Sequence, residues 1–215
     1  MAGTFNSTQR DSKNIKNIKR NTMSDSAHDH VLQIFEESGA LLKGHFKLTS
    51  GLHSGSYFQC ALVLQYPQHS QLLAQKIVTN FLNKKIEVVI SPAIGGIVVG
   101  QEVGRQLGVR TIFTERKNGK MELRRGFNLR PGEKVLICED VVTTGGSVFE
   151  VMDVVRDQGA EIAGVGCIVD RSDGAVDFSV DQFAVIRMPA IAYEEDQCPM
   201  CQAGLPIQTP GSRPS

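Results

Sequence analysis

The chain has 215 residues, 41% of them hydrophobic, with Lys+Arg and Asp+Glu both at 23. That length supports one domain with a sizeable core, and the charge balance supplies no field that would draw it to nucleic acid or anionic lipid. An anionic ligand therefore has to be gripped by local cations and backbone donors, and no apolar run approaches the roughly 18 residues of a membrane span.

Residues 1–25 are polar, with Lys13, Lys16, Lys19 and Arg20 among Asn and Ser. They lack the apolar stretch of a secretory signal and read as a disordered tail. A start upstream of Met23 and a weak organelle-targeting peptide are the other readings. A single domain is expected over 26–215, closing with a tail over 190–215.

Ser26 and Asp29 precede Val31, Leu32, Ile34 and Phe35 in the manner of a capping box, and Gly39 suits the stop of that helix. Residues 46–59, rich in Gly and Ser, read as a loop or irregular hairpin. Pro67 opens an amphipathic helix carrying Leu72, Leu73, Ile77, Val78, Phe81 and Leu82. Strand 87–91 then leads through a glycine turn to a helix ending near Leu107. Strand 110–113 follows, then a polar excursion over 114–129. Strand 134–138, helix 147–158, strand 162–169 and strand 183–188 complete the pattern. Apolar strands alternating with helices imply a parallel twisted sheet flanked by helices, an α/β fold, with ligands beyond the carboxyl ends of the strands.

The segment from Val135 carries the most chemistry. Val135–Cys138 reads as a buried strand stopping at Glu139 and Asp140, followed by Val141, Val142, Thr143, Thr144, Gly145, Gly146 and Ser147 and then by a helix. Gly145 and Gly146 permit close backbone approach, and successive N–H groups with the Thr and Ser hydroxyls form an anion cradle at a helix N-terminus. Carboxylates beside such a cradle would repel a phosphate unless they serve another part of the same ligand, such as vicinal ribose hydroxyls or magnesium. The lysine of a triphosphate P-loop is missing, and G-x-G-x-x-G is absent. A sugar bearing a terminal monophosphate fits best; a turn merely capped by Thr and Ser is the bland reading.

Residues 135–147 resemble the PRPP-binding signature of type I phosphoribosyltransferases. The chain from about Val31 to Gly204 more specifically resembles orotate phosphoribosyltransferases, through Phe46, Leu48, Ser50 and Gly51, the turn Ser91–Gly96, the 114–127 loop and Val169–Ser172. The resemblance implies transfer of a 5-phosphoribosyl group from PRPP to orotate with Mg2+, in pyrimidine and UMP biosynthesis. It implies a small N-terminal hood over about 44–65 and a homodimer with shared active sites. Asp140 would meet the metal indirectly, through PRPP and water.

By the same resemblance, Ala93, Ile94, Gly95 and Gly96 form the pyrophosphate loop, although family members often carry lysine where this chain has Gly95. Arg116 and Lys117 match pyrophosphate ligands and Lys120 the catalytic lysine of a loop that closes over the partner subunit's site. The loop histidine has no clear counterpart, Glu122 standing near its position. Arg124 and Arg125 are open to a structural reading. Arg171 would take the orotate carboxylate, unless it pairs with Asp170 or Asp173. Thr143, Ser50, Tyr57 and Phe58 would contact the base. Thr49 stands where many members have a cation; His53 either replaces that charge or is simply exposed.

Transfer to another base, or PRPP sensing without catalysis, are the competing readings; the cationic loop favours an enzyme. Five cysteines, with Cys138 and Cys167 in apolar strands, argue for reduced thiols and a cytoplasmic setting. Cys198 and Cys201 form half of a metal pattern with no second half in sequence, and read as thiols in a C-terminal turn.

Overall fold

The computed structural model describes residues 29–210 except 49, 173 and 190. Ser26, Thr49, Asp173 and the expected 1–25 tail lie outside the described residues. After helix α1 (29–37), the chain forms β1 (Leu41–Lys47), β2 (His53–Phe58), α2 (Cys60–Leu64) and α3 (Pro67–Phe81). Then come β3 (Val88–Pro92), α4 (Gly95–Leu107), β4 (Arg110–Lys117), β5 (Lys120–Leu123), β6 (Lys134–Val142), α5 (Gly146–Asp157), β7 (Glu161–Asp170) and β8 (Gln182–Arg187). Strand β9 (Ala192–Tyr193) and α6 (Pro199–Gln202) close the described chain.

A six-stranded sheet has the order β5-β4-β3-β6-β7-β8, parallel throughout except for β5 at one edge. Alternation along β6 feeds two cores. Leu136 and Cys138 point to the face covered by α3 and α4, while Val135 and Ile137 point to the face under α5. Both helix contacts on the first face depend on missing side chains. Phe81 and Ile77 of α3 fill the space where a Cβ at Gly164 and Gly166 of β7 would stand. On α4, Gly100 and Gly104 lie one turn apart against Ser91 and Thr111, so the helix seats closely on β3 and β4. Burying side chains such as Phe81 and Ile77, both at most 1% exposed, contributes about 1.5–3 kcal/mol each.

Two expected boundaries move. Strand β6 continues through the acidic pair, because β7 keeps pairing with it to Val141↔Val169 and Val142↔Asp170. The polar excursion at 114–129 begins as a β-hairpin: β4 and β5 pair antiparallel, and Asn118 and Gly119 turn the chain with φ of 52° and 81°. Positive φ at both turn positions is the type I′ geometry that Asn-Gly favours.

The hood is a separate three-stranded sheet of order β1-β2-β9. Its third strand comes from the far end of the chain, with His53 opposite Tyr193, and Gln208 bridges to Phe46. The expected C-terminal tail is therefore part of the hood. No helix among the described residues is long and apolar enough to cross a membrane.

Candidate active site

At the carboxyl end of the sheet, β6 delivers Glu139 and Asp140 beside the turn that opens α4. A Cβ on Gly95 would stand 2.6 Å from Asp140 Cγ, and one on Gly96 would stand 2.9 Å from Glu139 Oε1. These two glycines let the Ala93–Gly96 turn lie directly against the acidic pair. The turn is open to solvent, with Ile94 80% exposed, and its Ala93–Ile94 peptide is cis.

Neither acid forms a salt bridge with any described residue. Asp140 Oδ1 accepts the Val141 N–H at 2.9 Å, and Glu139 Oε1 accepts the Asp140 N–H at 3.0 Å. Glu139 is buried, and burial, with Asp140 next to it, holds its carboxyl well above the usual range. Asp140 is half-buried at the rim.

Five residues beyond Asp140, Gly145 caps α5 at φ 75°, and a Cβ there would press on Val176, Phe178 and Phe149 at 2.8–3.1 Å. Only glycine fits both demands. No side chain caps this helix, so its first-turn N–H groups are left for an anion. Thr143, Thr144 and Gly146 are exposed and Ser147 half-exposed around them, the arrangement expected of a phosphate cradle.

The hood supplies the opposite wall. Arg171, directly after β7, is 6% exposed, and its Nη2 donates to Ser56 O at 3.3 Å. Its Nε is buried without a partner, and it pairs with no carboxylate among the described residues. Asp170 is engaged elsewhere, accepting from Ser172 N and Oγ at 2.8 and 2.6 Å and meeting Arg187 at 3.7 Å. Burial lowers the Arg171 pKa from its ordinary value, the mark of a cation short of an anion. Phe58 is buried beneath the guanidinium and packs edge-on against Phe35. Tyr57 is the more open of the two; burial first, and Asp140 second, raise its phenol pKa, against the lowering effect of Arg171. Ser50 is exposed at the turn joining β1 and β2.

The β4–β5 hairpin holds the other cations. Lys117 and Lys120 face each other across its tip and both are exposed. Arg116 instead pairs with Glu150 of α5 at 2.7 Å, and Arg125 grips Glu115 through two hydrogen bonds of 2.8 Å. Arg124 lies 4.0 Å from the same carboxylate, so both arginines serve the base of the hairpin.

His53 departs from both expectations. It is fully buried on β2, neither exposed nor turned to a ligand as a charge, and it meets His45 and Cys201. His45 was not singled out by the sequence reading. Its partners lie 8 and more than 150 residues away along the chain, so no local pattern marks it.

Comparison with known proteins identifies the family. Residues 65–189 match the phosphoribosyl transferase domain. Orotate phosphoribosyltransferase of Chlorobium phaeobacteroides (strain DSM 266) is 58% identical over 183 residues, 85% of this chain and 95% of that protein. The protein of the same name from Desulforamulus reducens is 54% identical over 185 residues, 86% and 97% of the two chains. Among solved structures, orotate phosphoribosyltransferase from Aeropyrum pernix superposes with a TM-score of 0.62 at 22% identity, covering 73% of this chain and 92% of that one. Adenine phosphoribosyltransferase from Rhodothermus marinus shares the fold at a TM-score of 0.59 and 16% identity, covering 76% and 99%. At 54–58% identity over most of both chains, the chain belongs to the orotate phosphoribosyltransferase family.

Proposed function

We propose that this enzyme transfers the 5-phosphoribosyl group of PRPP to orotate, releasing pyrophosphate and forming orotidine 5′-monophosphate. The observation that carries the choice of base is Arg171: a buried guanidinium without a carboxylate partner among the described residues calls for a planar acid, and a guanidinium can grip a carboxylate through two parallel hydrogen bonds. Adenine, hypoxanthine or uracil would leave that cation unpaired.

In this reading the uncapped α5 N-terminus with Thr143, Thr144 and Ser147 anchors the 5′-phosphate, with Gly145 and Gly146 giving room. Glu139 and Asp140 accept the ribose hydroxyls, and the N–H groups of Ile94, Gly95 and Gly96 meet the pyrophosphate arm, the Ala93 N–H being donated to Thr114 O at 2.9 Å. Asp140, whose carboxylate has no cationic partner among the described residues, suits magnesium held on PRPP and water, since that ion prefers oxygen donors and keeps several waters. When bound, magnesium neutralises charge on the departing diphosphate.

The orotate ring nitrogen attacks C1′ as the C1′–pyrophosphate bond breaks, and the acidic floor favours the cationic character that C1′ gains. Tyr57 lines the base side and Phe58 supports Arg171 from behind. Lys120 and Lys117 are exposed at the tip of a hairpin at the sheet edge. We assign them to the pyrophosphate of a second copy in a homodimer. The five cysteines form no disulfide, which suits a reducing compartment such as the cytoplasm.

The test is a panel of bases incubated with the protein, PRPP and magnesium. Pyrophosphate release with orotate alone is expected. Release with a purine and none with orotate would overturn the substrate.

A further inference from the structure

We propose that the hood carries a structural metal site of the zinc class, built from His45, His53, Cys198 and Cys201. This site is separate from the transferase centre and does not depend on that reading. The four candidate ligand atoms, His45 Nε2, His53 Nδ1 and the two Sγ, all lie within 4.8 Å of one another. His45 and His53 are at most 2% exposed and Cys198 is fully buried; Cys201 is half-buried at the edge.

Four of the six edges between these atoms can be compared with a tetrahedron about an ion: two equal its edges and two are about 0.4 Å shorter. Metal–ligand lengths of about 2.0–2.1 Å to nitrogen and about 2.3 Å to sulfur imply edges of roughly 3.3 Å between nitrogens and roughly 3.6 Å from nitrogen to sulfur. The two imidazole nitrogens are 2.9 Å apart, His53 Nδ1 is 3.2 Å from Cys201 Sγ, and His45 Nε2 is 3.6 Å from each sulfur.

Hydrogen bonding alone does not account for this convergence. His45 Nδ1 lies 2.8 Å from Leu205 O, which fixes its proton there and leaves Nε2 with a lone pair. That lone pair can accept one good hydrogen bond, yet three polar atoms crowd around it within 3.6 Å. A shared cation satisfies all of them at once.

The elements are arranged to make this cluster. The register of β1 against β2 shifts between Lys43 and Phe46, the interval that holds His45, and such bulges re-aim side chains. Cys198 stands at the N-cap of α6 and Cys201 lies within its single turn, three residues on, which brings both sulfurs to one side. Four protein ligands, mostly buried, describe a closed structural centre rather than a catalytic one, and an S2N2 set favours zinc. The ion would clip the C-terminal segment to the hairpin across a separation of up to 156 residues. It would thereby brace the hood whose Ser56 carbonyl holds Arg171.

The test uses the full chain, purified without a metal-affinity tag, with metal measured by mass spectrometry. About one zinc per chain is expected. After zinc is replaced by cobalt, visible ligand-field bands and thiolate charge-transfer absorption should appear. Cys201→Ser should lose the metal and melt earlier, while Cys201→His, which keeps a ligand, should retain both metal and most of the melting temperature. A folded wild-type chain with less than about a tenth of an equivalent of metal and no cobalt bands would overturn the proposal. So would stoichiometric zinc that survives both Cys198→Ser and Cys201→Ser.

Discussion

Arg171 holds its guanidinium carbon 5.4 Å from the centre of the Phe58 ring, a cation lying over an aromatic face with no carboxylate beside it among the described residues. The ring offsets part of the cost of burying the charge but supplies no hydrogen-bond acceptor, so the guanidinium edge stays available to a ligand.

Arg171→Ala should therefore raise KM for orotate by about 10- to 100-fold, the worth of one charge-assisted pair at 1.5–3 kcal/mol, and change KM for PRPP little. Arg171→Lys should recover only part of the loss, because an ammonium cannot form the two-pronged pair. Steady-state kinetics with each substrate varied in turn reads this out. Equal damage to both KM values would show that Arg171 shapes the whole site rather than holding the base.

Lys120 and Asp140 supply a test of assembly. If Lys120 of one copy serves the site of another, Lys120→Ala and Asp140→Asn should each be nearly inactive. Mixed after unfolding and refolding together, they should regain up to about a quarter of wild-type activity, since half of the dimers are mixed and each mixed dimer has one intact site. No recovery, in a mixture shown to exchange subunits, would place Lys120 at the site of its own chain.

Glu139 makes stability depend on pH in a known direction. Unfolded, it loses its proton near its ordinary value of 4.5; folded, burial first and Asp140 second keep the proton on to well above that. Between those limits the native state binds more protons than the unfolded one, so this contribution is complete at low pH and is lost as pH rises through the folded pKa. Glu139→Gln should match the wild type near pH 4 and melt at a higher temperature than it, without PRPP, toward neutral pH. Parallel melting curves across that range would mean that Glu139 is ionised in the folded chain.

Much of this was legible because the central sheet is built from local signals. Apolar runs at 87–91, 134–138 and 162–169, each next to a helix start, read as parallel strands and became β3, β6 and β7. Glu139 and Asp140 looked like the end of a strand since charged residues seldom continue one, but backbone pairing with β7 does not depend on side chains. The hairpin at Asn118 and Gly119 was readable in principle from that dipeptide; the density of charge around it suggested a loop instead. The hood's third strand and the His45–Cys201 cluster were not readable as units, because they join residues about 140 to 156 apart: Cys198 and Cys201 show half of a metal pattern, but nothing local marks His45 and His53 as the other half. Arg171 could be named from its position after β7, while its lack of an acidic partner among the described residues needed the structure.

Gly95 gives the sharpest test of the acidic pair. The resemblance read from the sequence leads one to expect a lysine here, and makes its absence look like a lost contact to pyrophosphate. The structure suggests a steric reason instead. Any Cβ at this position would fall 2.6–2.8 Å from Asp140 Cγ and Oδ1, so a side chain can enter only if the carboxylate swings away. Gly95→Ala should raise KM for PRPP by about 10- to 100-fold, since displacing a ligand-holding group by about 1 Å can cost a factor of that size. The melting temperature should move little, because Asp140 stands at the rim and not in the core. Gly95→Lys adds a cation along with the same clash and should do no better than alanine. A lysine variant that binds PRPP as tightly as the wild type would show that Asp140 can move at no cost, and that its position against the turn does not set PRPP affinity.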